Sequence, residues 1–217
     1  CVVCSAFDAS YLCSSCLSSI EQIPKPYCFT CGHTISEGRC QNCQGRSRSF
    51  SVARAVGKYD GALKEAIHRF KYDGVRILAE PFAKLMHDYL TNFADFPWRL
   101  ANIVIPVPIH PIRQRIRGYN QSELLAERLS RTLGLPIVAD AVIRHRYTPP
   151  QVSLPGDLRR VNVQGAFRVV KPLVVQNKIV LLVDDVATTC STIHECSTAI
   201  LSAGALAVFV VCLAFGA

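Results

Sequence analysis

The 217-residue chain is half hydrophobic and carries a formal net charge of +8. That content suffices for one α/β domain of ordinary size plus a small module, and it argues against a disordered protein. Nothing reads as a secretory signal peptide, and the longest apolar stretch, Ala205 to Ala217, is too short to span a bilayer and reads as a core strand.

The chain opens on an internal repeat. Cys1-x-x-Cys4, eight residues and Cys13-x-x-Cys16 recur 27 residues later as Cys28-x-x-Cys31, eight residues and Cys40-x-x-Cys43. Each pair puts two thiolates on one knuckle and two knuckles close a tetrahedral S4 site, so residues 1–47 are expected to hold two structural zinc ions. Disulfides, an iron–sulfur cluster or a dithiol redox centre are the competing uses. Disulfides need an oxidising compartment that nothing else supports, and one redox site does not need four pairs. Spacing leaves open whether the pairs combine in order or interleave, although the repeat favours order. The segment has almost no apolar core, so metal binding is expected to fold it. Its near-neutral charge weakens a nucleic-acid role for the knuckles themselves. Gly45 to Ser51, polar and basic, reads as the linker to an α/β domain over residues 48–217.

Ala53 to Tyr59 is a candidate strand. Asp60 can cap a helix that turns Leu63, Ile67 and Phe70 inward, with Lys64, His68 and Lys71 elsewhere around it. A second helix, Leu78 to Phe93, tolerates Pro81 because that residue falls in the first turn. His68, His87 and His110 lack partners at metal-ligand spacing and read as surface or packing residues. Ile103 to Ile109 is an apolar strand interrupted by Pro106 and Pro108, so the chain leaves the sheet there as a rigid loop. In parallel α/β sheets that carboxyl edge is where ligands collect. The loop carries Arg113, Arg115 and Arg117 to Gly118, which suits a pyrophosphate-like anion; three solvated arginines would explain the charge equally well. Asn120 and Glu123 open a helix in a capping-box-like pattern, and Gly134 closes it.

From Ala101 to Val170 ten arginines stand against four acidic residues, a local charge of +6 without a single lysine. Planar guanidinium forks favour phosphate groups, with a solvated face as the plain alternative. Within this segment, Arg144 to Phe167 holds three prolines, two glycines and clustered arginines, and reads as a long mobile loop able to act as a lid.

Lys178 to Thr192 is the stretch on which a functional reading turns. Ile179 to Val183 is a continuous apolar run suited to a strand buried on both faces. It runs into Asp184 and Asp185, then a hydroxyl-dense turn of Thr188, Thr189, Ser191 and Thr192, then a helix with Ile193, Cys196, Ile200 and Ala203 on one face. A turn feeding a helix N-terminus presents free N–H groups and the positive end of the helix dipole to an anion. The carboxylates upstream can accept from sugar hydroxyls or hold Mg²⁺ through water. One acidic residue would do as a cap, but two adjacent carboxylates repel and need a use.

This stretch resembles the phosphoribosyl pyrophosphate (PRPP) signature of type I phosphoribosyltransferases, with Cys190 where that signature has Gly. Together with the four C-x-x-C pairs, L-K-E-A-I-H-R-F-K-Y, P-V-P followed by R-I-R-G-Y-N-Q-S, and T-x-x-Q with a later R-x-x-N-x-x-G-A-F, it is similar to the ComF family over nearly the whole chain. The resemblance implies a zinc module joined to a type I phosphoribosyltransferase-like parallel sheet flanked by helices. It implies that Asp184, Asp185 and the loop from Ala187 through Thr188, Thr189, Cys190 and Ser191 to Thr192 bind the ribose and 5-phosphate of PRPP with Mg²⁺. Residues Pro106 to Arg117, with Arg115 and Arg117, would face pyrophosphate, and Thr148, Gln151 and Arg159 would belong to the flexible loop. It further implies a cytoplasmic protein of natural competence that meets incoming single-stranded DNA and competence or DNA-translocation proteins. A phosphoribosyltransferase of nucleotide or base metabolism is the alternative.

Overall fold

The computed structural model describes residues 1–148 and 162–216 apart from positions 9, 36 and 94. Four strands form one parallel sheet: β1 (Val52–Lys58), β2 (Ile103–Pro106), β5 (Ile179–Ala187) and β6 (Ala207–Phe215), in the order β1-β6-β5-β2. β5 and β6 are buried on both sides, and period-two alternation splits their side chains between two cores. Leu181, Val183, Phe209, Val211 and Leu213 face one; Val180, Leu182, Val208, Val210 and Cys212 face the other.

The first core is closed by α2 (Gly61–Tyr72), α3 (Ala79–Asn92) and α5 (Gln121–Leu133), through Phe70, Phe82, Met86 and Leu129. Asp60 caps α2 by accepting from Gly61 N, and Asn120 caps α5 by accepting from Ser122 N. Gly134 ends α5 at φ 68°, the left-handed geometry expected of a C-terminal glycine. The second core is covered by α7 (Ser191–Ser202), by the antiparallel pair β3 (Val142–Arg144) and β4 (Phe167–Val169), and by Cys28 and Cys31 of the Cys-rich segment. Two further short helices are α1 (Ser14–Ser18) and α6 (Pro172–Val175).

Three expectations change. The stretch after β2 is not a loop: Pro111–Arg117 is a helix, α4, with His110 accepting from Ile112 N, Pro111 in the first turn and Gly118 at φ 83° as C-cap. Proline at the start and glycine at the end are its sequence signature. β5 runs four residues past Val183 to Ala187, so both aspartates belong to the strand. Residues 142–144 and 167–169, within and beside the expected long loop, pair as strands; Gln151 and Arg159 lie outside the described residues.

The Cys-rich segment borrows its core from the sheet layers. Leu12 is 3% exposed in the first core, and Cys31 is fully buried in the second. No described helix is long and apolar enough to cross a membrane.

Candidate phosphoribosyl site

Adjacent residues of a strand point to opposite sides. This is how Asp184 and Asp185 coexist. Ser122 Oγ donates to Asp184 Oδ1 at 2.9 Å, while Lys71 Nζ pairs with Asp185 Oδ1 at 2.9 Å. Backbone amides add to both: Asp185 N donates to Asp184 Oδ1 at 2.9 Å and Val186 N to Asp185 Oδ1 at 2.6 Å. Burial, then the neighbouring Asp185 charge, push Asp184 up to about 7. Burial alone would depress Lys71, but the Asp185 carboxylate more than offsets it and raises the ammonium's pKa.

Lys71 was expected elsewhere around its helix. It lies four residues after Ile67 and eight after Leu63, which puts it on the inward face, and that spacing was legible.

The aspartates line a cleft of about 340 Å³ at the carboxyl edge of the sheet, together with Tyr59, Val107, Thr188, Thr192 and Gly216. Lys71, Arg113, Arg117 and Arg144 line it too, four cations against two carboxylates. Arg113 and Arg117 are four apart on α4 and share a face. Arg115 sits about 200° around from Arg113 by helical geometry and is exposed outside the cleft. Arg113 donates to Thr148 O at 2.6 Å, and Arg144 donates to Thr148 Oγ1, so the described part of the long segment is tied to the cleft wall. Burial, then Arg113, lower Arg144 to about 10. Among the described residues, Gln121 Nε2 and Arg144 Nε are buried without a hydrogen-bond partner. Buried donors are rarely left unmatched, so these two can serve acceptor atoms of a ligand in the cleft.

Facing it is the turn from β5 into α7. Ala187, Thr188, Cys190, Ser191 and Thr192 surround a small concavity beside Asp184. The N-cap residue of α7, Cys190, makes no side-chain capping bond, and the positive end of a helix dipole at such a turn favours an anion. Thr189 Oγ1 and Ser191 Oγ lie 2.8 Å apart. Cys190 occupies the left-handed region at φ 59°, ψ 14°, a geometry that costs a non-glycine residue about 1–2 kcal/mol. The residue is 2% exposed, and burial pushes the thiol up to about 12.

The cysteines group in sequence order. The sulfurs of Cys1, Cys4, Cys13 and Cys16 lie within 4.8 Å of one another, as do those of Cys28, Cys31, Cys40 and Cys43. Recorded Sγ–Sγ distances are 3.7 Å for Cys1–Cys16, 3.6 Å for Cys4–Cys13 and 3.4 Å for Cys31–Cys40. Tetrahedral Zn–S bonds of about 2.3 Å imply edges of about 3.8 Å, so both clusters fit zinc. None of the 11 cysteines forms a disulfide.

The second cluster touches the turn between β5 and α7. Asn42 Nδ2 reaches Thr188 O at 3.4 Å and Cys190 Sγ at 3.5 Å; Arg48 Nη1 donates to Thr189 O at 3.2 Å. Sequence spacing carries no trace of these contacts. A larger cavity, about 390 Å³, opens beside Tyr27, Arg54, Tyr89 and Phe93, but Arg54 already serves Phe29 O, Ala53 O and Asp95. Its charge is neutralised within the protein.

The chain is 34% identical over 193 residues to Competence protein F of Haemophilus influenzae, covering 86% of this chain and 82% of the relative. The chain belongs to the ComF family. This ComF-family chain is also 34% identical over 209 residues to the DNA utilization protein YhgH of Escherichia coli K12 (93% and 89% covered), and 28% identical over 200 residues to Competence protein ComFC of Streptococcus pneumoniae (91% and 84% covered). No family model matches. Among solved structures, the glutamine PRPP amidotransferase from B. subtilis overlays 64% of this chain and about a quarter (26%) of its own, at 21% identity and TM-score 0.43. A purine phosphoribosyltransferase from Pyrococcus horikoshii overlays 64% and 72%, at 16% identity and TM-score 0.38.

Proposed function

We propose that the cleft binds PRPP with Mg²⁺ and that the protein uses this site in natural competence, in the handling of incoming single-stranded DNA. The observation that carries the reading is one cleft holding an acid pair, an uncapped helix N-terminus behind a hydroxyl-rich turn, and four cationic side chains. A phosphate fits the turn, because backbone amides and hydroxyls donate there without bringing a full positive charge. The ribose hydroxyls fall to Asp184 and Asp185. Arg113, Arg117 and Arg144 fit the pyrophosphate, since forked donors match its oxygens. Mg²⁺, when bound, would neutralise pyrophosphate charge beside the acid pair.

Should transfer occur, the residues would act by positioning and charge: the arginines stabilise departing pyrophosphate while the two carboxylates face the positive charge developing on the ribose. The competence role is supported by relatives named for competence and DNA utilization. Single-stranded DNA is favoured as partner by the +6 arginine segment, whose exposed members include Arg115. Two zinc ions in the Cys4 clusters complete the reading.

The test is calorimetric titration of PRPP and Mg²⁺ into zinc-loaded protein and into an Asp184→Asn, Asp185→Asn double variant. Binding by the wild type that the variant loses supports the pocket. An absence of binding to folded wild type would sink the phosphoribosyl reading. For the DNA arm, affinity for an oligo-dT strand should fall steeply as salt rises; a flat series removes the electrostatic role of the arginines.

A further inference from the structure

We propose that Asn42 and Arg48 are positioning residues for the turn between β5 and α7, through which the second Cys4 cluster sets how well that turn receives a phosphate; the consequence for affinity rests on the phosphoribosyl reading above. In a planar trans peptide the carbonyl and the following N–H point opposite ways. Arg48 holds Thr189 O and Asn42 holds Thr188 O on the side of the Cys-rich segment. The amides of Cys190 and Thr189 are thereby turned to the other side of the loop, away from the knuckle. A loop that presents fixed amides binds an anion better than one that must first order them.

The holding residues are themselves fixed by the cluster. Asn42 lies between Cys40 and Cys43, and that knuckle is closed by Cys43 N donating to Cys40 O at 3.1 Å and Gln44 N at 2.8 Å. Arg48 Nη2 donates to Asn42 Oδ1 at 3.0 Å and to Asn42 O. Cys190 adds a third link. Glycine would adopt φ 59° without penalty, yet the side chain here fills the seam, 3.5 Å from Asn42 Nδ2 and 4.0 Å from His33 Nδ1. His33, two residues after Cys31, stacks on Phe215 at 4.4 Å, anchoring the same knuckle to the end of β6. The cysteine that departs from the PRPP signature is thus the side chain by which the turn meets the zinc-binding segment.

The test uses the intact, zinc-loaded chain, with Arg48→Met and Arg48→Lys beside the wild type. Metal analysis and thermal unfolding establish that each variant keeps both ions and its fold. Amide hydrogen exchange over residues 188–192 reads the bracing. We expect exchange about tenfold faster in Arg48→Met and an intermediate rate in Arg48→Lys, which keeps one donor for Thr189 O. Titration with ribose 5-phosphate reads the consequence: about tenfold weaker affinity for Arg48→Met, partly recovered in Arg48→Lys. If the methionine variant does not fold, the lysine variant and Asn42→Ala carry the same comparison. Unchanged exchange with intact zinc overturns the proposal, as does faster exchange with unchanged affinity. A wild type indifferent to ribose 5-phosphate would defeat the phosphoribosyl reading, while the exchange rates would still decide whether the cluster braces the turn.

Discussion

The two Cys4 clusters repeat each other in spacing but not in what they touch. The first leans on the outside of the α/β layers: Leu12 enters the core near α2, and Glu21 meets Lys58 in a pair whose side chains are 61% and 43% exposed. A pair so exposed contributes less than about 1 kcal/mol. The second cluster is set into the layers. Cys31 is fully buried, and its knuckle reaches the turn between β5 and α7 through Asn42, Arg48 and Cys190. Equal cysteine spacing thus serves two ends, one peripheral and one joined to the cleft.

The strongest way to break this contrast is to empty one cluster at a time. Cys28→Ser with Cys31→Ser should weaken PRPP binding about 30-fold or more, roughly 2 kcal/mol, whereas Cys1→Ser with Cys4→Ser should leave it within about threefold. Zinc content should fall from about two ions to one in each case. Equal losses in calorimetry would erase the distinction.

Acidity sharpens it. Asp184 titrates near 7, so Mg²⁺-dependent PRPP binding should strengthen as pH rises from 6 to 8 and the acid pair gains its second charge. Because the folded-state pKa lies above the unfolded value of about 3.8, the group contributes stability at low pH that is lost as pH climbs from about 4 through 7. Asp184→Asn should therefore raise the melting temperature at pH 8, by roughly 5 °C, while removing binding. If the second cluster acts on the phosphate turn alone, its variants should change the affinity without moving the pH midpoint. A shifted midpoint in a pH series would place its influence on the carboxylates instead.

The smallest effects concern α4. Arg113→Ala or Arg117→Ala should weaken PRPP binding about tenfold, and Arg115→Ala by less than twofold, all by the same titration. An equal loss at Arg115 would mean that the helix presents a different face to the ligand.

Much of this was legible in the sequence. Apolar runs marked β5 and β6, caps and glycines marked α2 and α5, and the cysteine spacing marked both clusters. These are local signals, carried by neighbouring residues. The order of cysteine pairing needed coordinates, since the same spacing permits interleaving. α4 was masked by its arginines, which read as a charged loop, although Pro111 and Gly118 bounded a helix. Lys71 was misplaced because a lysine at a helix end is ordinarily solvated; here a buried carboxylate draws it inward. The bracing of the turn had no local trace at all. Its contacts join residues 141 to 148 positions apart, and only the fold brings such partners together.

The strand order carries one more consequence, for how the protein is made. β6 stands between β1 and β5, yet it follows both in the chain. Until β6 is synthesised, the sheet is two separate pieces: β1 with its cysteine segment, and β2 paired with β5. Pairings of such sequence separation form slowly. The cysteines therefore emerge from the ribosome well before Phe215 and the turn they contact, and a nascent chain passes through a stage in which metal can be held while the cleft does not yet exist.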